Sequence, residues 1–350
     1  MDSHSGPITI SRKKPSYPVR EALRRYLRRY GREVELPVSY MELQEYSEAI
    51  PVLDREGKDT LWETALYPQG EMERIHNGLK KIYADLKAGG ASHVQEHLFI
   101  ERIDCCTFGN SKPFRIRIVN RYNDVYDYFY LKVPDASRIY GLELEHMLSP
   151  DSMSYLVDRE TLVEEHIPGI PGDIFAQRYL HREDYNPKRI AKEFVKFNER
   201  CLLRLLGDMR AYNFVLDITP DFDDFRFRIR PIDFDQQCYE GSLKVYRPQF
   251  FKESFPYVEL ALKHFNEKVM LQYQQEERAA LLQRMRSERT RLAFLREAMR
   301  TEVLSTPEKI AQLADELCSY YEDSRFSRAT SMAELLEGSL KRLLRSGQHI

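Results

Sequence analysis

The stretch LGDMRAYNFVLD, Leu206 to Asp217, and the stretch RPIDFDQQ, Arg230 to Gln237, decide how this sequence is interpreted. The first ends an amphipathic run and leads into apolar, β-prone residues, with Asp208 and Asn213 in the turn between. The second is a short strand-like run that ends in Asp-Phe-Asp. Either these groups hold a metal and a nucleophile for phosphoryl transfer, or they are turn residues that decorate a hairpin.

Composition and charge limit the class of protein. The chain has 350 residues, 42% of them hydrophobic and 31% charged, with a formal net charge of −2. This length allows one large two-lobed domain or two ordinary domains. The near-neutral charge weighs against a surface built for nucleic acid but leaves a local basic patch open. No apolar run approaches the ~20 residues of a membrane span, so no transmembrane segment is predicted.

The N-terminus and the cysteines indicate a cytoplasmic protein. The first residues lack the apolar core of a signal peptide. The five cysteines show no CxxC spacing, which favours reduced thiols and argues against a zinc site. They are Cys105, Cys106, Cys201, Cys238 and Cys318.

Residues 1–95 are predicted to form a helical N-terminal extension with a basic segment. Nine Lys or Arg residues and a single acid, Glu21, fall within residues 12–32, where Val19, Leu23 and Leu27 recur at helical spacing. This helix either contacts an anionic partner, such as RNA, lipid headgroups or an acidic protein face, or is a solvated helix docked through its apolar stripe. The second interpretation is favoured. Residues 40–88 are predicted to be helical, with PVLDREGKDT as a loop.

The rest of the chain segregates strands from helices. Residues 96–168 contain the strand patterns HLFIERIDCCTF, FRIRIVN, VYDYFYLKV and ETLVEEHI around one helix, ASRIYGLELEHML. Residues 169–350 are mostly helical, with a hairpin at NFVLDI and FRFRIRPIDF. This order favours an α+β fold over alternating βαβ units. An apolar stripe in residues 276–300 indicates a partner-binding or coiled-coil helix or, preferably, a long packed helix.

The chemistry of phosphoryl transfer matches the residue types at Asp208 to Asp235. The reaction needs a group that engages the attacking hydroxyl, hard oxygen ligands for Mg²⁺ and a cation at the nucleotide phosphates. Asp208 and Asn213 have the D-x-x-x-x-N spacing of a kinase catalytic loop. Asp233 ends the next strand, and Asp235 either shares its metal or begins a turn. Because each short motif also occurs by chance, their order along the chain carries the argument.

Three motifs resemble one family. Gly207-Asp208 resembles the Gly-Asp of aminoglycoside-phosphotransferase and choline-kinase-like loops, and Ile232–Asp235 resembles their Ile-Asp-Phe-Asp/Glu. LVEEHIPGIPGD, Leu162 to Asp173, is similar to their hinge. Over residues 97–260 the chain therefore resembles the protein-kinase-like superfamily, nearest to its small-molecule and atypical members. The resemblance implies a bilobal α+β fold with a small antiparallel-sheet N-lobe at residues 96–168 and a mostly helical C-lobe at residues 169–350.

The resemblance also implies ATP and Mg²⁺ as cofactors and a nucleotide site. Lys132 would reach the phosphates, oriented by Glu143 in preference to Glu145. Gly109 would form the turn that covers the phosphates, and Glu165 would lie at the edge of the nucleotide base. Taken singly, Lys132 is more often a solvent-facing lysine, and a helical Glu is more often on the surface.

The resemblance assigns the remaining roles to the loop and the Asp-Phe-Asp segment. Asp208 would engage the hydroxyl of an acceptor. Asn213, Asp233 and Asp235 would ligate the metal.

Several features depart from the family pattern and leave alternatives open. The sequence has no G-x-G-x-x-G, Leu206 replaces the catalytic-loop His, and no Ala-Pro-Glu follows Asp235. The missing activation segment favours a small molecule, a lipid or a carbohydrate as acceptor over a protein. The main alternative is a pseudokinase, a catalytically inactive binding or scaffold module. A nucleic-acid-binding protein is a weaker third possibility, whose binding would fall steeply with salt.

Overall fold

The computed structural model describes residues 14–88, 97–108, 111–222 and 224–346. The chain divides into two compact units. The sheet unit comprises Leu23–Pro134 and Met153–His166, and the helical unit comprises the described residues up to Ala22, Asp135–Ser152 and the chain from Ile167 onward. The boundaries of these two units differ from those of the three predicted segments, residues 1–95, 96–168 and 169–350.

The sheet unit is built on one antiparallel sheet. Its helices are α1 (Glu21–Arg29), of which all but the first two residues lie in this unit, α2 (Tyr40–Leu43) and α3 (Gln69–Ala88). Its strands are β1 (Glu48–Leu53), β2 (Asp59–Leu66), β3 (Leu98–Cys106), β4 (Phe114–Asn120), β5 (Val125–Lys132), β6 (Tyr155–Asp158) and β7 (Thr161–Glu165). The strand order is β1-β2-β3-β4-β5-β7-β6, and every neighbouring pair is antiparallel.

Alternating side chains give this sheet one buried face. In β4, Phe114, Ile116 and Ile118 are buried, whereas the intervening Arg115 and Arg117 are half-buried on the opposite face. The buried face shares its hydrophobic core with side chains of α3, namely Ile75, Leu79, Ile82 and Leu86. The period-2 pattern of β4 therefore reflects burial on one side only.

The prediction of helix across residues 40–88 was wrong for β1 and β2, which form a hairpin. Its turn is held by Asp54, whose Oδ1 accepts hydrogen bonds from the backbone N–H groups of Glu56 and Lys58, and by Gly57, whose φ is +78°. Strand β1 buries none of its side chains fully. Because one buried face is what creates an alternating pattern, this edge strand carried no readable signal.

The helical unit contains the two stretches Leu206 to Asp217 and Arg230 to Gln237. Its helices are α4 (Ala136–Leu148), α5 (Gly172–Arg178), α6 (Pro187–Arg204), α7 (Phe255–His264), α8 (Glu267–Ser287), α9 (Arg289–Met299), α10 (Pro307–Tyr321) and α11 (Met332–Ser346). Its strands are β8 (Ile170–Pro171), β9 (Phe214–Asp221) and β10 (Asp224–Pro231), in the order β10-β9-β8. An antiparallel sheet and many helices make this a mixed fold of the α+β kind.

Helix α6 and the hairpin that follows it agree with the sequence prediction. Asn186 caps the helix by accepting a hydrogen bond from the N–H of Lys188, and Pro187 occupies the first turn. Apolar residues that recur at helical spacing are all buried, namely Ile190, Phe194, Phe197, Cys201 and Leu205. Strands β9 and β10 pair antiparallel from Phe214 opposite Pro231 onward. This pairing brings the residues that precede β9 beside the residues that follow β10.

The C-terminal apolar stripe is buried, which favours the packed-helix interpretation over a coiled coil. The stripe falls on two helices, α8 and α9, separated at Glu288. All five of its residues have less than a tenth of their surface exposed: Leu281, Met285, Leu292, Leu295 and Met299.

The basic N-terminal segment also packs through its apolar side. Leu23 and Leu27 of α1 are fully buried. Arg24 and Arg28 both form ion pairs with Glu33, at 2.6 and 3.5 Å. An anionic partner for residues 12–32 therefore stays a prediction, and the first two basic residues of that segment lie outside the described residues. None of the described helices combines the length and the apolar character that crossing a membrane requires.

Candidate active site

The loop after α6 holds Asp208 in a left-handed backbone conformation. Leu205 ends the helix with φ +51°, and Asp208 has φ +57°. The loop is tied to the chain beyond Asp235 by an isolated bridge between Leu206 and Gln237. The backbone N–H of Asp208 also donates to the carbonyl of Val245 over 3.1 Å. A non-glycine residue in this conformation is uncommon and marks a position that its surroundings hold in place.

Asn213 connects this loop to the hairpin. Its side-chain Nδ2 donates to the backbone carbonyl of Asp208 over 2.7 Å. Its own carbonyl accepts from the N–H of Ile232 over 3.0 Å, directly before Asp233. The structure therefore brings together Asp208, Asn213 and Asp233, the three residues that the sequence analysis grouped.

The carboxyl group of Asp208 has a perturbed acidity. The pKa of Asp208 is raised to about 6, mainly by burial and to a smaller extent by the nearby carboxylates of Asp233 and Glu253. Arg210, which donates from Nε to Oδ1 of Asp208 over 2.9 Å, lowers the pKa and offsets part of this effect. A carboxyl group with a pKa near 6 is mostly ionised at pH 7 and can still accept a proton.

Arg138 of α4 lies against the Asp-Phe-Asp segment, and the sequence analysis missed it. Its Nη1 donates to Oδ1 of Asp233 over 2.9 Å and to Oδ1 of Asp235 over 2.7 Å. The Arg138 side chain is only 3% exposed, whereas those of Asp233 and Asp235 are 37% and 30% exposed. The backbone N–H of Asp235 also donates to Oδ1 of Asp233 over 3.1 Å. One guanidinium group thus bridges the two carboxylates.

The close approach of α4 to this segment depends on Gly141. A Cβ atom at Gly141 would lie 3.0 Å from Cβ of Phe234 and 3.2 Å from Cβ of Gln237, which is tighter than ordinary packing. Gly141 is three residues after Arg138 and so lies on the same side of the helix. No local pattern in the sequence indicates Arg138, because Asp233 lies 95 residues away along the chain.

The residues of the segment fit a magnesium ion by donor type. The carboxylates of Asp233 and Asp235 and the amide oxygen of Asn213 are hard oxygen donors, which Mg²⁺ prefers. The guanidinium group of Arg138 already bonds one oxygen of each carboxylate. Within the described ranges, no group of three or more His, Cys, Asp or Glu side chains is arranged to hold a metal ion.

Lys132 and Glu143, which the resemblance pairs with each other, each contact a charged residue of their own unit. Lys132 Nζ donates to Glu164 Oε2 over 2.8 Å, because Tyr130 lies opposite Glu164 in the β5–β7 register and Lys132 shares its face. Glu143 is fully buried and accepts two hydrogen bonds from Arg291 of α9, at 2.9 and 3.1 Å. Glu145, the less favoured candidate, is paired with Arg204.

The remaining predicted nucleotide contacts are untested. Glu165 accepts a hydrogen bond from the N–H of Ser154 over 2.8 Å and forms an ion pair with Lys87 over 3.1 Å. Gly109 lies outside the described residues. Both assignments stay predictions.

Comparisons with known proteins give little beyond this geometry. No protein-family model matches the chain, and no curated protein matches it. Among solved structures, the chain is similar to an ethanolamine kinase of Plasmodium vivax, with 8% sequence identity over 80% of this chain and 90% of that chain. The TM-score of 0.27 is too low to carry an argument.

Proposed function

We propose that the protein is a phosphotransferase of the protein-kinase-like type. It would transfer the terminal phosphoryl group of ATP, with Mg²⁺, to a hydroxyl group of a small molecule, a lipid or a carbohydrate. The observation that carries the proposal is the joining of Asp208, Asn213 and Asp233 by the hydrogen bonds of the loop and of the hairpin. These are the groups that the reaction needs at one place.

Asp208 is the residue that acts on the acceptor. Its carboxylate accepts the proton of the acceptor hydroxyl while the oxygen of that hydroxyl bonds to phosphorus and the bond from phosphorus to ADP breaks. A pKa of about 6 leaves this carboxylate ionised at neutral pH. Asn213 holds the loop in shape through its bond to the Asp208 carbonyl. When bound, Mg²⁺ neutralises phosphate charge, and Asp233, Asp235 and Asn213 would be its protein ligands.

The proposal also covers two residues of the sheet unit and the cellular compartment of the protein. Lys132 and Glu165 retain their suggested roles at the nucleotide phosphates and base. The five cysteines carry free thiols. Free thiols are what a reducing cytoplasm maintains, and we place the enzyme there.

The test is calorimetric titration of ATP into the protein with and without Mg²⁺. Binding that needs Mg²⁺ and is lost in Asp233→Ala supports the proposal. The matched control is Asp221→Ala, which removes a half-exposed carboxylate from the tip of the same hairpin and should bind as the wild type does. ATP turnover with a panel of hydroxyl compounds then identifies the acceptor. Retained turnover in Asp233→Ala would contradict the assignment.

A second candidate is a pseudokinase that serves as a binding or scaffold module. The observation that favours it is the Arg138 guanidinium group, which already forms ion pairs with both Asp233 and Asp235. A pseudokinase would release no ADP with any acceptor, whether or not it binds ATP·Mg²⁺, in a sample shown to be folded by circular dichroism. The turnover measurement therefore separates the two candidates.

A further inference from the structure

We infer that Arg138 competes with a divalent cation for the carboxylates of Asp233 and Asp235 and so sets the metal affinity of the site. The inference rests on the proposed function only in taking these two residues as metal ligands, with Asn213 as the third. It concerns binding of the cation to the protein without nucleotide, which is measured independently of phosphoryl transfer.

Arg138 occupies the negative charge of the two carboxylates that a bound cation would need. A single Nη1 atom donates to one oxygen of each carboxylate, so the guanidinium group places one positive charge against two negative charges. A guanidinium group stays protonated at any ordinary pH, so it cannot make room for the cation's charge by losing its proton. A divalent ion at these carboxylates meets a fixed positive charge in a partly buried place, where repulsion is screened less than in water.

Arg138 is also held firmly in place. The carboxylate of Asp135 caps α4 by accepting from the backbone N–H of Arg138, and the hydroxyl of Ser137 donates to the carbonyl of Gln237. Further along the helix, Glu143 is bonded twice to Arg291. The carboxylates are about a third exposed while the arginine is buried, so solvent and a cation reach the pair from the side away from α4.

A purely structural ion pair makes a different prediction. If Arg138 only stabilised the contact between α4 and the Asp-Phe-Asp segment, its removal would lower stability and leave cation affinity unchanged. The affinity for the cation is therefore the decisive measurement, and stability is the control.

The experiment titrates Mn²⁺ into nucleotide-free full-length protein and measures free Mn²⁺ by electron paramagnetic resonance. Arg138→Gln removes the charge and keeps polar hydrogens near both carboxylates. We expect it to bind Mn²⁺ at least about tenfold more tightly than the wild type. Arg138→Lys keeps the charge and should bind within about threefold of the wild type. Asp235→Asn, added to Arg138→Gln, should abolish the gain.

Arg182→Gln is the matched control, since Arg182 forms an exposed ion pair with Asp184 elsewhere on the helical unit, and it should bind Mn²⁺ as the wild type does. Equal Mn²⁺ affinity in the wild type and in folded Arg138→Gln would overturn the inference. The inference would also be overturned if the wild type bound Mn²⁺ with a Kd below about 100 µM and Asp235→Asn abolished this binding. That result can be obtained without any substitution at Arg138. Absence of ATP turnover would contradict the proposed function and leave this test unaffected.

Discussion

The side-chain amide of Asn213 donates a hydrogen bond to the backbone carbonyl of Asp208, five residues earlier, over 2.7 Å. This bond closes the loop around Asp208, whose backbone is in the sparsely populated left-handed region. Asn213 thus has a structural task in addition to its proposed place among the metal ligands. The two tasks use different atoms of one amide group, the nitrogen for the loop and the oxygen for the metal.

Substitutions at Asn213 separate these two tasks. Asn213→Ala should lower the free energy of unfolding by about 1 kcal/mol, the net value of one hydrogen bond. Asn213→Asp supplies a better metal ligand but places a carboxylate against a carbonyl oxygen, so it should be less stable than Asn213→Ala. Urea denaturation measures both values. An aspartate variant as stable as the wild type would show that the hydrogen bond does not hold the loop.

Loss of the Asp208 carboxylate should strongly lower the rate of phosphoryl transfer. Asp208→Asn is expected to lower the turnover number by ~10²–10⁴, the usual contribution of one positioned proton acceptor. In the wild type the rate should rise with pH through about 6 as this carboxyl group ionises. The control is Asp221→Asn at the hairpin tip. A variant at Asp208 with wild-type turnover, or a rate that is flat between pH 5 and 7, would remove Asp208 from the mechanism.

The same residue should lower stability at neutral pH. Its pKa in the folded protein, about 6, lies above the ordinary value of 3.8, so the folded state binds more protons between these values. The contribution of Asp208 to stability is therefore complete below pH 4 and is lost as pH rises through 6. Asp208→Asn avoids the buried charge and should be more stable than the wild type at pH 8, by roughly 1–3 kcal/mol.

Urea denaturation at pH 4 and pH 8 tests this difference. The gain in Asp208→Asn should be present at pH 8 and nearly absent at pH 4. An equal difference at both values would mean that burial does not perturb the carboxyl group. A gain in stability together with a loss of turnover is the pattern typical of a residue kept for function.

Removing Arg291 should lower the free energy of unfolding more than removing the charge of its buried partner Glu143. Glu143 is fully buried, whereas the Arg291 side chain is 16% exposed. Arg291→Met leaves a buried carboxylate and should destabilise by about 3–5 kcal/mol, while Glu143→Gln leaves an arginine that can reach water and should destabilise less. Denaturation of both variants and of Glu143→Leu/Arg291→Met measures the asymmetry. The double variant should recover much of the loss, and a double variant worse than Arg291→Met would contradict this account.

The elements with one strongly buried face could be predicted from the sequence. Helix α6 buries Ile190, Phe194, Phe197 and Cys201 at helical spacing, and β4 alternates buried and half-buried residues. Both patterns arise directly from burial on one side. Strand β1 has no fully buried side chain, so its sequence contained no pattern to read.

The site was predictable where its contacts are local. Asp208 and Asn213 share one loop, and a tight hairpin returns the chain from Asn213 to Asp233, so short-range pattern was enough. Arg138 and Asp233 are 95 residues apart, and nothing in a single sequence selects one buried arginine as the partner of a given carboxylate. The contacts of Lys132 with Glu164 and of Glu143 with Arg291 could not be predicted for the same reason, because they depend on tertiary packing.

The hydrogen bonds between Glu143 and Arg291 join residues 148 positions apart. A ribosome that adds roughly 5–20 residues per second produces Arg291 about 7–30 seconds after Glu143. During that interval the carboxylate lacks these two hydrogen bonds, so we expect helix α4 to reach its final buried position late. Arg138 lies on the same helix, and we therefore expect its contact with Asp233 and Asp235 to form only after α9 has emerged.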